Sequence, residues 1–190
     1  MTSLYLVKHS LPEIDPEAPS AFWILSEEGQ ARCAWLADQL SERGVTRIYC
    51  SLEPKASETA ALAGERMRAE VMLHANLHEN DRTDFGFHDQ IELRNYIRAF
   101  FNQPQDIIIG KESARMALER FTAAVGLAQR ESRGKTIAIV AHGTVITLLV
   151  AQHNKHVPAY PMWEHLGLPS IVEVDADSYA FDGKIVSFPD

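Results

Sequence analysis

The sequence predicts an α/β fold built around a layered, mostly parallel sheet. First, four short apolar runs alternate with segments of helical periodicity, which is typical of β-α-β units. Second, the first three runs are continuously apolar, as in strands that are covered on both faces. The runs lie at residues 4–7, 46–50, 137–141 and 171–174, and residues 71–73 are a candidate for another short strand. We expect residues 1–190 to form one domain with a sizeable core.

The first two helices have recognisable ends. Apolar side chains recur at positions i, i+3, i+4 and i+7 over residues 33–40. Ser26 is a suitable N-cap for this helix, and Gly44 follows its expected end. Pro54 favours the start of a second helix, which we expect to extend to about Gly64.

Later segments predict two more helices, a hairpin and two long loops. One helix carries an apolar stripe over residues 114–128, and another should follow His142. Asp182-Gly183 lies between β-prone runs and predicts a hairpin there. Residues 11–25 and 74–92 lack a clear period, and long ordered loops of this kind often border a functional site.

Composition restricts the class of protein. The net charge of −8 and the pI of about 5.5 do not indicate binding to nucleic acid or to an anionic membrane. The chain has no apolar stretch of transmembrane length, and its N-terminal run is too short and too polar for a signal peptide. Two cysteines, Cys33 and Cys50, do not form a disulfide framework, so we expect a reduced, cytoplasmic protein.

Polar side chains follow three of the predicted strands. The first strand ends in Lys8-His9-Ser10, and a later one ends in His142-Gly143-Thr144 at a helix start. The second predicted strand is followed by Ser51 and by Lys55 in the first turn of a helix. Ligands of α/β sheets gather at the carboxyl ends of strands, where helix N-termini favour anions. Because histidine is also a nucleophile for phosphoryl groups, this edge predicts phosphate chemistry.

Other phosphate-handling classes do not fit the sequence. It contains neither a Gly-x-Gly-x-x-Gly motif nor a Gly-x₄-Gly-Lys loop. Neither cysteine is followed by arginine in the Cys-x₅-Arg arrangement, since position 39 is Gln and position 56 is Ala. The histidines and aspartates of residues 74–88 resemble metal ligands, but they are interpreted as loop residues, and no metal site is expected there. They are His74, His78, Asp81, Asp84 and His88.

The ordered set of motifs resembles the histidine phosphatase superfamily, which has the phosphoglycerate mutase-like fold, and within it the small phosphatases. The family's strand ending in Arg-His-Gly corresponds to "LYLVKHS", and its Leu-Ser/Thr-x-x-Gly helix start to "LSEEG". Its Ser-x₃-Arg-Ala-x-x-Thr-Ala motif corresponds to "SLEPKASETA", and its Leu-x-Glu segment to "LHE". "GKES" and "IAIVAHG" match the last two motifs, so the resemblance spans residues 4 to about 150.

The resemblance implies a three-layer α/β/α sandwich and a set of roles in a phosphate pocket. His9 corresponds to the family's nucleophile, which forms a phosphohistidine that water hydrolyses. Lys8, Lys55 and His142, with backbone N–H groups near Gly143, correspond to the groups that hold the phosphate oxygens. Both lysines replace family arginines, which retains the charge but loses the bidentate geometry of a guanidinium. His9 must be neutral at its attacking nitrogen, so its other nitrogen should donate to a backbone carbonyl.

Three acidic residues are candidates for the proton donor. Glu79 matches the family's donor to the leaving oxygen, and it would need a raised pKa to stay protonated near neutrality. Asp81 and Glu13 are alternatives in this variable part of the sequence. Ser10 replaces the family's glycine and could either donate its hydroxyl to phosphate or only begin a turn. No metal or cofactor is required.

Three functions remain open at this point. The leading one is a metal-independent histidine acid phosphatase-type hydrolase, a phosphomonoesterase acting on a small phosphorylated substrate or a phosphoprotein. Because Lys8 and Lys55 replace arginines, a second is a weakly active or inactive member that only binds a phosphorylated ligand. The third is a mutase-type phosphotransferase, although the chain lacks the longer insertions of the glycolytic mutase.

Overall fold

The centre of the fold is a sheet, here described from a computed structural model that covers residues 3–189. Its strands are β1 (Ser3–Lys8), β2 (Arg47–Cys50), β3 (Glu70–Leu73), β4 (Ile137–Ala141), β5 (Ser170–Asp175) and β6 (Ile185–Ser187). Their order in space is β3-β2-β4-β1-β5-β6. The first four strands in this order are parallel, whereas β5 runs antiparallel to both β1 and β6. The prediction of a mostly parallel sheet is confirmed.

Helices cover both faces of the sheet. They are α1 (Glu27–Glu42), α2 (Pro54–Met67), α3 (Gln90–Asn102), α4 (Ala114–Glu131), α5 (Gly143–His153) and α6 (Ala159–His165). Apolar residues of α1 and α2 form one core with alternate strand positions such as Val7 and Val140. Residues of α3 to α6 form the other core with the intervening positions, including Leu6 and Ile139. Because successive strand side chains point to opposite faces, both faces of the sheet are buried and the three-layer architecture follows.

Most of the predicted elements lie where the sequence places them. The predicted strands, including the candidate at residues 71–73, correspond to β1 to β5, and the four predicted helices correspond to α1, α2, α4 and α5. Ser26 caps α1 by accepting a hydrogen bond from the Gly29 N–H, and Pro54 begins α2. Within residues 3–189 no helix combines the length and the apolarity needed to cross a bilayer.

Two helices and one turn differ from the prediction. Helices α3 and α6 were not predicted. Helix α3 does carry Leu93, Ile97 and Phe100 at helical spacing, and α6 is a short helix of seven residues. The expected hairpin at Asp182-Gly183 is wrong, since β6 pairs with the first half of β5. The residues before this turn do not form a strand, because Tyr179 and Phe181 turn into the core.

Gly29 lets the start of α1 pack against the chain that leaves β1. A Cβ atom at Gly29 would lie 2.0 Å from the carbonyl oxygen of Leu11, which no side chain can tolerate. The Gly29 carbonyl in turn accepts the hydroxyl proton of Ser10 at 2.7 Å. The helix start therefore fixes the chain directly after His9.

We predict that Gly29→Ala lowers the free energy of unfolding by about 1–3 kcal/mol, because backbone must move to admit the methyl group. Gly126→Ala is the matched control: it lies within α4, where a Cβ atom would meet only the flexible Arg130 side chain, at 3.4 Å. There alanine should raise stability by about 0.5–1 kcal/mol. Urea denaturation of both variants measures the difference, and equal stabilities would contradict the role of Gly29.

Candidate active site

The two histidines expected at strand ends lie side by side. The register of β1 and β4 pairs Lys8 with Ala141, and the His9 N–H extends this ladder by donating to the Ala141 carbonyl at 3.0 Å. The next residue along each strand is thus a histidine. The ring centroids of His9 and His142 are 5.2 Å apart in an edge-to-face arrangement. Both rings are buried, and they are close enough to contact one tetrahedral oxyanion.

The tautomer of His9 is set by the backbone. Its Nδ1 lies 2.7 Å from the carbonyl oxygen of Ser10, and a carbonyl can only accept, so Nδ1 carries the proton. Burial holds the pKa of His9 well below its usual value, and the nearby His142 and Lys55 lower it further. His9 is therefore a neutral imidazole with a free lone pair on Nε2. The expected hydrogen bond from one ring nitrogen of His9 to a backbone carbonyl is confirmed.

His142 differs from His9 in that neither of its ring nitrogens has a hydrogen-bond partner. It is the N-cap residue of α5, and both of its ring nitrogens are buried. Its Nε2 lies 3.5 Å from Oε1 of Glu53. Burial, followed by the charge of Lys55, holds the pKa of His142 well below its usual value. A buried, unpartnered imidazole beside His9 is suited to contact an anion that enters the site.

Lys8 lies along the start of α5. A Cβ atom at Gly143 would lie 3.4 Å from Lys8 Cε, so the lysine side chain packs against the first residue of this helix. Its Nζ donates to the carbonyl oxygen of Leu166 at 2.7 Å. Burial lowers the pKa of Lys8 to about 8, although the negative charge of Glu79 opposes this effect. Lys8 is thus a cation of reduced basicity beside the histidine pair.

Lys55 is held by an acidic neighbour that the sequence reasoning did not single out. Its Nζ lies 2.5 Å from Oε2 of Glu53 and 2.5 Å from the carbonyl oxygen of Ser20. Glu53 also accepts the N–H of Glu79 through Oε1 at 2.8 Å. Lys55 and Glu53 are both largely buried, so this ion pair is part of the site. Glu53 lies within the segment "SLEPKASETA", but its spacing from other polar residues does not indicate a function.

Glu79 lies within the site, and its surroundings favour the ionised carboxylate. Its Oε2 accepts the N–H of Thr144 in the first turn of α5 at 3.1 Å, and its Oε1 accepts the N–H of Asn80 at 3.0 Å. Burial, the largest single effect, would raise the pKa of Glu79, but the charge of Arg82, the neighbouring His142 and the hydrogen bond from the Asn80 N–H together outweigh it, so the pKa is lowered. The expectation of a raised pKa is therefore wrong, because the positive charges of Arg82 and Lys8 act on this carboxylate.

The other candidate donors are less well placed. Glu13 is exposed on the loop before α1. Asp81 lines the same cavity as Glu79, but its Oδ1 accepts both the N–H and the hydroxyl of Thr83. Ser10 is fully buried, and its hydroxyl donates to the backbone of Gly29. Its hydroxyl proton is therefore engaged in holding the chain, away from any phosphate.

A cavity of about 250 Å³ is lined by Glu53 and Glu79 but not by His9 or His142; Glu53 links it to the histidine pair, since its Oε1 lies 3.5 Å from Nε2 of His142. Both irregular segments contribute to it, as expected of loops that border a site: its walls include Ser20, Glu53, His78, Glu79, Asn80 and Arg82. Arg82 Nη1 and both amide atoms of Asn80 are buried without a hydrogen-bond partner in the described chain. Neither residue was identified from the sequence, since a single arginine in an aperiodic loop gives no pattern.

A clamp from α4 fixes the loop that carries Glu79. The guanidinium of Arg120 donates to the carbonyl oxygens of Asn76, His78 and Glu79 at 2.9–3.1 Å. Arg120 also pairs with Glu112, whose Oε1 accepts the N–H of Asp81. These bonds hold the backbone on both sides of Glu79, which positions its carboxylate over the start of α5.

Comparison with known families decides the relationship. The family model described as histidine phosphatase superfamily (branch 1) matches residues 17–186 of the chain. The chain belongs to the histidine phosphatase superfamily. The match begins after Lys8-His9-Ser10, the segment that departs from the family's Arg-His-Gly. No curated protein matches the chain closely enough to be counted as a relative.

Solved structures support the same fold. A mycobacterial glucosyl-3-phosphoglycerate phosphatase has a TM-score of 0.73 at 19% identity, with 97% of this chain and 96% of that chain covered. The protein YhfR of Bacillus stearothermophilus has a TM-score of 0.73 at 23% identity, covering 96% of each chain. The α-ribazole phosphatase of Shigella flexneri has a TM-score of 0.69 at 20% identity, covering 95% and 94%. At these identities the likeness establishes the architecture that this histidine phosphatase superfamily member shares with them.

The lowered pKa of Lys8 predicts a loss of phosphate affinity above about pH 8. Lys8 must be protonated to attract an anion, and a bound anion raises its pKa, so binding takes up a proton wherever the free lysine is neutral. The dissociation constant should therefore rise with pH in that range. His9 and His142 have lowered pKa values and are already neutral there.

Calorimetric titration with inorganic phosphate across this range measures the effect. In Lys8→Met the affinity should be weaker at neutral pH, and the decline above about pH 8 should disappear. An undiminished decline in Lys8→Met would show that another group titrates.

Proposed function

We propose that this protein is a phosphomonoesterase that works through a phosphohistidine on His9. The observation that carries the proposal is the buried histidine pair, in which His9 Nδ1 is bonded to the Ser10 carbonyl and Nε2 is left free to attack. Family membership supports a phosphatase, and the cavity of about 250 Å³ favours a small phosphorylated substrate. The buried, unpaired Cys33 and Cys50 support a protein of the reducing cytoplasm.

In the first step Nε2 of His9 attacks phosphorus in line with the leaving oxygen. The nitrogen–phosphorus bond forms, the phosphorus–oxygen bond breaks, and the leaving oxygen takes its proton from Glu79. In the second step water attacks phosphorus, Glu79 recovers a proton from that water, and the nitrogen–phosphorus bond breaks. Inorganic phosphate leaves, and His9 is again neutral. Phosphoryl transfer depends mainly on positioning and charge, which Lys8, Lys55 and the start of α5 can supply without a metal.

Glu79 must be protonated for the first step, and substrate binding can bring this about by raising the pKa of its carboxyl group. In the empty site the neighbouring cations lower the pKa of this carboxyl. A phosphate dianion that binds to the same cations neutralises them and adds a negative charge beside Glu79. Both effects raise the pKa of Glu79, so its proton is taken up as substrate binds. Glu79 can then act as an acid although it is ionised in the free protein.

The nucleophile is tested with p-nitrophenyl phosphate. We expect wild type to release nitrophenol and inorganic phosphate in equal amounts, and His9→Ala to lose roughly a thousandfold or more of the activity. Rapid quenching with labelled substrate should place the phosphoryl group on His9.

Activity retained by His9→Ala would contradict the proposal. A wild type that binds vanadate but has no activity at any pH would favour the binding protein instead. Phosphoryl transfer to an added alcohol in preference to water would favour a mutase-type enzyme.

The proton donor is tested by comparing leaving groups. Glu79→Gln should lose about 10²–10⁴-fold in kcat/KM with an alkyl phosphate, whose leaving oxygen needs a proton. With p-nitrophenyl phosphate the loss should be much smaller, because nitrophenolate leaves without one. Glu13→Gln, on the exposed loop, should behave as wild type with both substrates. Equal losses in Glu79→Gln on the two substrates would exclude Glu79 as the acid.

A further inference from the structure

Arg82 is a partly buried cation, and one of its guanidinium nitrogens has no partner in the described chain. It lines the cavity beside Glu79, and its Nη1 is buried without a hydrogen-bond partner. Among the arginines of residues 3–189, Arg82 alone has a buried side-chain nitrogen without a hydrogen-bond partner. A buried donor without a partner is costly, and native structures keep such groups mainly where a ligand or water completes them.

The two lysines that replace the family's arginines are, in contrast, already engaged. Lys8 donates to the carbonyl oxygen of Leu166, and Lys55 is paired with Glu53 and bonded to Ser20. Each can offer a phosphate a point charge, but neither has the planar fork that grips two oxygens at once. The two lysines therefore give the site positive charge, but they cannot bind two phosphate oxygens at once as a guanidinium can.

Asn80 adds a second unsatisfied group to the same wall. It is 2% exposed, it lines the cavity, and both its amide nitrogen and its amide oxygen lack partners. Arg82 is also close enough to the catalytic groups that its charge lowers the pKa of both Glu79 and His142. The unsatisfied donors and the histidine pair thus belong to one region.

We propose that Arg82 binds the phosphoryl group under transfer and supplies, from the loop after Glu79, the bidentate contact that lysines at positions 8 and 55 cannot make. This inference rests on the proposed phosphatase function for its catalytic consequence, but the binding itself needs only inorganic phosphate. In the empty protein the charge of Arg82 acts on Glu79. When phosphate binds, Arg82 turns to the phosphate oxygens, and Asn80 is placed to donate to a further oxygen.

The first test compares Arg82→Lys with Arg115→Lys. Arg115 is an exposed residue of α4 that pairs with Glu119 and does not line the cavity of Arg82, so its variant controls for the exchange itself. The dissociation constants of inorganic phosphate and of vanadate are measured by calorimetry. We expect Arg82→Lys to weaken both about tenfold or more, because charge is kept while a charge-assisted hydrogen bond is lost. Arg115→Lys should bind as wild type.

Activity adds a second readout if the protein hydrolyses p-nitrophenyl phosphate. Arg82→Lys should lower kcat/KM about 10²-fold, by the same factor for p-nitrophenyl phosphate and for phosphoserine. A loss confined to phosphoserine would overturn the proposal, since it would assign Arg82 to the carboxylate of the substrate. Unchanged phosphate and vanadate affinity in a folded Arg82→Lys would also overturn it.

A measurement on the wild-type chain removes the dependence on a folded variant. Phenylglyoxal modifies arginine, and mass spectrometry can follow Arg82 and Arg115 separately. We expect inorganic phosphate to protect Arg82 and to leave the modification of Arg115 unchanged. Equal modification of Arg82 with and without phosphate would contradict the proposal. Because none of these binding measurements involves turnover, they can succeed or fail independently of His9→Ala.

Discussion

The pairing of β1 with β4 is the constraint on which the site depends. One backbone hydrogen bond, from the His9 N–H to the Ala141 carbonyl, continues the parallel ladder past the last strand residues. It brings together two histidines that are far apart in the chain. Parallel strands feed their carboxyl ends to one edge, so a helix that begins there adds its N-terminus to the same place. The close approach at Gly29 then fixes the chain beyond His9.

The electrostatics of the site explain how histidines can serve as uncharged groups among lysines. Lys8, Lys55 and Arg82 face the carboxylates of Glu53 and Glu79, so the empty site is nearly compensated without charged imidazoles. Burial then keeps both histidines neutral, as the proposed nucleophilic role of His9 requires. An incoming dianion changes this balance most strongly at the carboxylate closest to it. In the proposed mechanism the protonation of Glu79 is therefore controlled by substrate binding more than by bulk pH.

The sequence was most informative where a polar residue interrupts an apolar run. The ends of β1 and β4 could be predicted because Lys8-His9 and His142 follow continuously apolar strands, and a strand end has a definite place in an α/β sheet. The partners in loops could not be predicted in this way. Arg82 and Asn80 have no periodic neighbours, and their position depends on how Arg120 clamps the loop from α4. Such a contact depends on tertiary packing, which local patterns do not encode.

If both proposals hold, the loop from Glu79 to Arg82 combines proton donation with phosphate binding, which the family's usual motif assigns to separate elements. In that motif the phosphate-binding arginines lie at the end of a strand and in the first turn of a helix, at the positions of Lys8 and Lys55. If the guanidinium comes instead from the loop that carries the acid, one clamp positions both groups. Arg120 and Glu112 hold the backbone of this loop at residues 76, 78, 79 and 81. Loosening the contacts of Arg120 and Glu112 would weaken phosphate binding and proton donation together. In contrast, exchange of arginine for lysine at positions 8 and 55 leaves Glu79 in place.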